Sequence, residues 1–385
     1  MSPKLLPIDM DYVTDVLVRL LECPSPSGRT DDVMRLLGNE IEDLGLRSQL
    51  TRRGSLVADL DGEQDSPDRA VLVHADTIGC MVKDRRGNGR LQVVPIGTFS
   101  ARFAEGARVH VYTDDPDVTY TGTILPLKSS GHTYGDAVDT QPIGWDFVEV
   151  RVDEEVASVD DLVQLGIRVG DFVALDAQPV VTSSGFVKSR HLDDKAGVAA
   201  ALGAFKAILD AGIAPPVSAH LLVTIAEEIG QGASHGLHAD VAEMVSIDNA
   251  VIAPGQQSKE TGVNVAMQDS TGPFDFHLTR KLLHLCDEMG ITAQRDVFNF
   301  YRSDVAAAIE SGAETRAALI GFGVDASHGH ERTHLEGIRN VAELVAAYLQ
   351  TPLLFSADVK PMVPVEEFPS QEEAQKVRGY PADPD

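Results

Sequence analysis

Between residues 83 and 181 this chain loses almost every helical spacing of apolar residues, while on both sides apolar strands alternate with amphipathic helices. A chain divided in this way has few ways to fold. The flanks, residues 1–82 and 182–355, are expected to feed one mostly parallel sheet covered by helices, because alternating β and α elements lead there. The middle is expected to close on itself as a small β-barrel, since its short strands are separated by Gly, Asp and Pro clusters. The fold class is therefore α/β, one discontinuous domain split by an inserted β domain.

The pattern behind this reading is local. Val13, Val16, Leu17 and Leu20 fall on one face of a helix over 9–22, and Val33, Leu36, Leu37, Ile41 and Leu44 do so over 30–44. Strands are predicted at 55–60 and 70–74, the second a continuous apolar run suited to a buried sheet. Within the insert, strands are predicted at 90–95, 108–112, 120–125 and 147–152, with one helical stretch at 159–165. Beyond Lys195 come helices at 196–209, 275–289, 304–311 and 337–349, and strands at 220–225 and 244–247. The segment 356–385 carries Pro and Glu without periodicity and is expected to be a loosely ordered tail.

Composition narrows the class of partner. With 43 % apolar residues the chain can bury a large core. A net charge of -27 repels nucleic acid and anionic membranes, so neither is expected as a partner. No apolar run approaches the length of a membrane span, and the proline-interrupted start is unlike a secretory signal. Cys23, Cys80 and Cys286 lack CxxC spacing, which argues against disulfides and thiolate zinc and fits a reducing cytoplasm.

Five segments place carboxylate or imidazole where a strand of the sheet ends. His74-Ala-Asp76 follows the run Ala70-Val-Leu-Val, and His191-Leu-Asp193-Asp194-Lys195 precedes an Ala/Gly-rich helix. Glu227-Glu228 follows a strand ending at Ala226, and Asp248 follows Met244-Val-Ser-Ile247. The last is Ser327-His328-Gly-His330-Glu331-Arg-Thr-His334, with three histidines in seven residues. Each alone has an ordinary explanation: an Asp pair entering a helix caps it, and adjacent glutamates solvate a loop. Together they put imidazoles and carboxylates at strand ends of one α/β sheet, where ligands bind. Such a donor set suits zinc, cobalt or manganese, and a bridging carboxylate allows two metals ~3.5–4 Å apart.

The order His-x-Asp, Leu-Asp-Asp-Lys, Glu-Glu-x-Gly, a strand-end Asp and a late His resembles the tetrahedral (TET), glutamyl-aminopeptidase-like family of di-metal peptidases. The resemblance covers most of 10–350 and includes Val82-Lys, Pro95-Ile-Gly97, Leu165-Gly-Ile-Arg-Val-Gly170-Asp and Ser303-Asp304-Val-Ala-Ala. Within that family the chain looks like the branch associated with the osmoprotectant N-acetylglutaminylglutamine amide. Related di-metal carboxypeptidases share the ligand order, but with a short interval between the first His and the bridging Asp. Here the interval runs from His74 to Asp193 and holds the whole β-rich segment.

The resemblance implies a three-layer, phosphorylase/hydrolase-like metallopeptidase domain with the barrel inserted. It implies that His74, Asp193 and Asp248 hold one metal and that Asp193, Glu228 and His328 hold the other. Asp76 would orient His74, and Glu227 would activate the attacking water and return its proton to the leaving amine. The cofactors implied are two divalent ions, zinc first, with cobalt or manganese as alternatives. The implied activity is release of the N-terminal residue of short peptides or dipeptide-like compounds, by a homo-oligomer that in this family is often a dodecamer. A deacylase or amidohydrolase acting on an N-blocked dipeptide amide is the alternative enzyme, and a non-catalytic assembly protein the alternative class.

The chain departs from the family pattern in places. Thr77 stands where Glu usually follows His-x-Asp, and Asp248 is followed by Asn249 rather than a Val-Thr pair. The last-ligand loop is one residue shorter between His and Glu, which makes His330 and His334 rivals of His328. Tyr301-Arg302-Ser-Asp304 replaces Gly-Gly-Thr-Asp, so Arg302 is expected either to bind a substrate carbonyl or carboxylate or to form an ordinary ion pair.

Overall fold

The computed structural model describes residues 2–354, so the tail expected at 356–385 lies outside the described residues. Its centre is a nine-stranded sheet. The path runs Arg47–Leu50, Leu56–Leu60, Ala219–Thr224, Asp68–His74, Val241–Val251, Arg316–Val324, Val263–Asp269 and Gly272–Pro273, with Ala293–Val297 paired to Val263–Asp269. Four central strands, from Ala219–Thr224 to Arg316–Val324, are parallel. The apolar run at 70–73 is buried throughout because its strand has neighbours on both edges and cover on both faces.

One face is covered by the helices Met10–Leu21, Asp31–Asp43, Leu192–Asp210, Phe276–Met289 and Leu335–Leu349, which share the largest apolar cluster. The helix Leu192–Asp210 is apolar on nearly every side and therefore sits between the sheet and an outer layer. Its small residues permit that placement. A Cβ on Gly203 would lie 2.5 Å from Val13 Cγ2, so only glycine lets the two helices approach this closely. The opposite face is thinner, covered by the helix Asp304–Glu310 and the segment around Ala233 over Val57, Ala70, Leu72 and Leu222.

Two differences from the expected elements have local causes. The strand Arg316–Val324 was not anticipated, because Gly321 and Gly323 dilute its β signal. Both glycines stand where a neighbouring backbone comes close: a Cβ on Gly321 would lie 2.2 Å from Asp248 O. Residues 331–334, read as part of a histidine-rich loop, form a strand Glu331–His334 paired with Phe186–Ser189.

The insert forms a closed six-stranded barrel in the order Gly79–Arg85, Leu91–Ile96, Val148–Val152, Thr119–Pro126, Arg108–Tyr112 and Phe172–Leu175. Alternation explains its core: Val109 and Val111, like Val148, Val150 and Val152, point inward and pack with Val173 and Leu175. Trp145 sits at the edge of this core, edge-on to Phe99 at 4.9 Å. The turn after Leu91–Ile96 brings Gly97 and Thr98 against the sheet's open end.

Candidate metal centre

The site lies at the carboxyl ends of the parallel strands, where diverging connections leave a crevice. His74 ends its strand and is 1 % exposed. Its Nδ1 lies 3.0 Å from the main-chain carbonyl of Asp76, which directs Nε2 into the crevice. The Asp76 carboxylate is 3.6 Å from that Nδ1. Its stronger engagements are elsewhere. It accepts the backbone N–H groups of Glu227 at 3.1 Å and Glu228 at 3.3 Å, and the Ser27 hydroxyl. The Asp76 carboxylate therefore fixes the chain that carries both glutamates, while the close contact with His74 is made by the main-chain carbonyl of Asp76.

Asp193 stands at the start of the helix Leu192–Asp210, and the peptide joining it to Asp194 is cis. One of its oxygens, Oδ1, is 3.0 Å from His74 Nε2, and the other, Oδ2, is 3.3 Å from His328 Nε2. Glu227 Oε2 lies 3.8 Å from His74 Nε2, and Asp248 belongs to the same group. On the other side Glu228 Oε2 lies 3.4 Å from His328 Nε2. Asp248 sits inside the long strand Val241–Val251, beside Gly321 of the next strand.

His328 is the histidine of the late cluster that reaches Asp193 and Glu228. Its Nδ1 meets the Thr98 carbonyl at 2.9 Å, so the barrel orients this ring from the far side. His334 is engaged at the start of the last helix, where Nδ1 accepts the Glu336 N–H and Nε2 lies 3.0 Å from Ser184 O. His330 is exposed. Arg302 lines the cleft in front of these groups, and its Nη2 pairs with Glu310 at 2.7 Å.

Several supporting residues had no assigned role from sequence. Buried Glu331 accepts the N–H groups of Asp193 at 3.2 Å and His328 at 2.9 Å, tying the two halves of the site together. Asn249 donates to Asp193 Oδ2 at 2.5 Å. Asp304 accepts Thr224 Oγ1 and the Ala233 N–H, both at 2.7 Å, and so braces the segment following the glutamates. Tyr301 is half-buried, with its hydroxyl turned inward beside Asp248, and burial with that carboxylate alongside pushes the hydroxyl well above its ordinary range.

Electrostatics point one way. Burial pushes the Glu227 carboxyl well above its ordinary range, and Asp248, Asp304 and Glu228 add repulsion that His74 only partly offsets. Burial with Asp193 alongside lifts Glu228 to about 8, against the pull of His328 and His74. Asp248 is raised for the same reasons, burial first and Asp193 next. Asp193 stays below the usual range despite burial, because His328 and His74 hydrogen-bond to it. His328 is correspondingly raised to about 11, Glu228 and Asp193 outweighing its burial. So many carboxylates crowded out of water lack positive charge, and divalent cations would supply it.

The donors fit that demand. His74, Glu227 and Asp248 offer ligand atoms within 4.8 Å of one another, and so do Asp193, Glu228 and His328. In the first group Asp193 Oδ1, at 3.0 Å, lies nearer His74 Nε2 than Glu227 Oε2, at 3.8 Å, so Asp193 can serve both groups and leave Glu227 free. Imidazole with carboxylate oxygen suits borderline divalent metals. Beside them lies a cleft of about 860 Å³ lined by Thr98, Val251, Phe298, Phe300, Tyr301 and Arg302 among others. It is a size that admits a small ligand. A smaller hollow of about 590 Å³ around Phe274, Asp275 and Arg316 lies away from both groups.

A three-layer α/β domain with a barrel insert, carrying paired imidazole–carboxylate groups at its strand ends, defines a metal-dependent hydrolase. Comparison with known proteins narrows this. Residues 54–344 match the model of the family described as M42 glutamyl aminopeptidase. The chain is 36 % identical over 340 residues to YhfE of Bacillus subtilis, an aminopeptidase by name, covering 88 % of this chain and 98 % of that one. It is similar in fold to the TET aminopeptidase of Thaumarchaeota archaeon SCGC AB-539-E09, with a TM-score of 0.79, 18 % identity and coverage of 88 % and 96 %. It is also similar to the Pyrococcus horikoshii TET1 peptidase, which assembles into a tetrahedron or a large octahedral shell, with a TM-score of 0.76, 22 % identity and coverage of 88 % and 99 %. The chain belongs to the M42 glutamyl aminopeptidase family and is a metal-dependent aminopeptidase.

Proposed function

We propose that this aminopeptidase uses two divalent ions shared through Asp193 to cut the N-terminal residue from short peptides or dipeptide-like compounds. One observation carries the reading: the two oxygens of a single buried carboxylate face two histidines, at 3.0 and 3.3 Å, each with further carboxylates beside it. His74, Asp193 and Asp248 would hold one ion, and Asp193, Glu228 and His328 the other. When bound, the ions supply Lewis acidity toward the scissile carbonyl and the attacking water.

The chain's own groups do the rest. Glu227 lies over His74 and opens on the cleft, with a carboxyl that burial makes basic. It takes a proton from the attacking water as the new C–O bond forms, and gives it to the leaving nitrogen as the C–N bond breaks. No covalent intermediate with the protein is needed. Asp76 and Asp304 hold the backbone on which Glu227 rides, and Glu331 keeps Asp193 and His328 in register. Arg302 and Tyr301 line the wall past which the peptide would extend; Arg302 forms an ion pair with Glu310, and on leaving it would meet a substrate carbonyl or carboxylate.

Zinc is the first choice for both positions, with cobalt or manganese compatible with the same donors. A homo-oligomer is proposed as well, supported by the fold shared with a PhTET1 structure described as a dodecamer. The metal arrangement is tested by counting ions. His328→Ala should lose one equivalent while keeping the other, and Asp193→Asn should weaken both together. An Asp193→Asn protein that binds two ions as tightly as wild type would rule out the shared carboxylate.

A further inference from the structure

We propose that Asp68, His220 and His238 form a separate site for one divalent transition-metal ion, zinc foremost, at the end of the sheet opposite the catalytic crevice. Asp68 opens the strand that His74 ends, which places the two sites roughly 20 Å apart at 3.3 Å per residue. The site does not depend on the catalytic reading.

Its parts come from neighbouring segments. His220 lies on the strand Ala219–Thr224, directly across from Asp59 of the antiparallel strand Leu56–Leu60. His220 Nδ1 is 2.7 Å from Asp59 Oδ1, and Nε2 is 2.8 Å from Asp68 Oδ2. His238, in the connection leading to the strand Val241–Val251, brings its Nε2 to 3.5 Å from the same Asp68 oxygen. The two rings meet edge to face at 4.5 Å. Two imidazole nitrogens thus converge on one carboxylate.

The second observation concerns Asp68 itself. It is 2 % exposed, and its other oxygen, Oδ1, is buried with no hydrogen-bond partner among the described residues. A buried carboxylate with one oxygen unmet is costly, and a cation held at Oδ2, or shared by both oxygens, would offset its charge. Asp59 completes the arrangement. By accepting Nδ1–H it fixes the tautomer that leaves the His220 Nε2 lone pair free for a metal, the usual support for a zinc-binding histidine. Tetrahedral zinc with bonds of ~2.0–2.1 Å holds its ligand atoms about 3.3 Å apart, so His220 and Asp68 need separate by only about 0.5 Å. The His238 side chain is 45 % exposed, which leaves room for that adjustment and for water as a fourth ligand.

The test is a metal count on the full-length protein after zinc loading and removal of loosely held ion. His238→Ala should carry one zinc per chain fewer than wild type, with unchanged peptide hydrolysis and circular dichroism. The count is a difference between two proteins, so it holds whatever the occupancy of the catalytic pair. Asp59→Asn keeps every ligand and should weaken that equivalent by about 10–100-fold in competition with a chelator. Equal zinc in wild type and His238→Ala would overturn the site and leave His220 as an imidazolium shared by Asp59 and Asp68.

Discussion

At the scale of single residues, the site is held by side chains that never reach the cleft. His191 illustrates how burial sets their chemistry. It is 6 % exposed, its Nε2–H donates to Leu175 O at 3.1 Å, and burial with Lys195 nearby pushes its pKa down to about 3. The unfolded chain binds a proton there near pH 6.5, so His191 leaves stability intact above that value and removes it as pH falls toward 3. His191→Gln keeps a donor and discards the titration. Relative to the variant, wild type should lose about 2 kcal/mol between pH 7 and pH 5 by urea unfolding. Parallel behaviour of the two proteins would show that His191 is not held neutral. The histidines and carboxylates at strand ends were legible in the sequence, because imidazole and carboxylate after an apolar run stand out. Glu331, Asn249 and Asp304 were not: each is an ordinary polar residue until folding buries it against a backbone N–H or a metal-facing oxygen.

At the scale of elements, the position of Asp248 depends on the strand beside it. Gly321 passes so close that a Cβ would meet Asp248 O at 2.2 Å. Gly321→Ala should therefore cost about 1–3 kcal/mol of stability through overpacking, read from the urea midpoint. It should also weaken metal retention, because Asp248 must shift with its backbone. Unchanged stability would mean that the strands separate more freely than their pairing implies. The same glycines explain why this strand escaped notice in the sequence, whereas the continuous run at 70–73 and the helices near 10–21 and 192–210 did not. Periodicity reports burial of side chains, and it is silent where the chain is selected for closeness of backbones.

At the scale of the whole molecule, the division into an α/β sheet and an all-β barrel was legible from the change of pattern alone. What the pattern could not supply is contact between them. The barrel turn at Thr98 orients His328, a residue 230 positions later, through a main-chain carbonyl that has no sequence signature. No described helix is long and apolar enough to cross a membrane. The proposed homo-oligomer has a direct reading: twelve chains of 41.3 kDa give about 500 kDa, to be compared with the mass from light scattering. A mass of one chain would remove the assembly from the proposal.

The most direct test of the central claim is hydrolysis of matched free-amine and N-acetylated dipeptides, glutaminylglutamine amides among them. Wild type and Glu227→Gln would be compared after metal removal and after reloading with zinc, cobalt or manganese. Metal-dependent cleavage of the free-amine substrates is expected of wild type, and a loss of at least about 100-fold in kcat of the variant, with metal content unchanged. Cleavage confined to N-acetylated substrates, or a Glu227→Gln enzyme as fast as wild type, would contradict it.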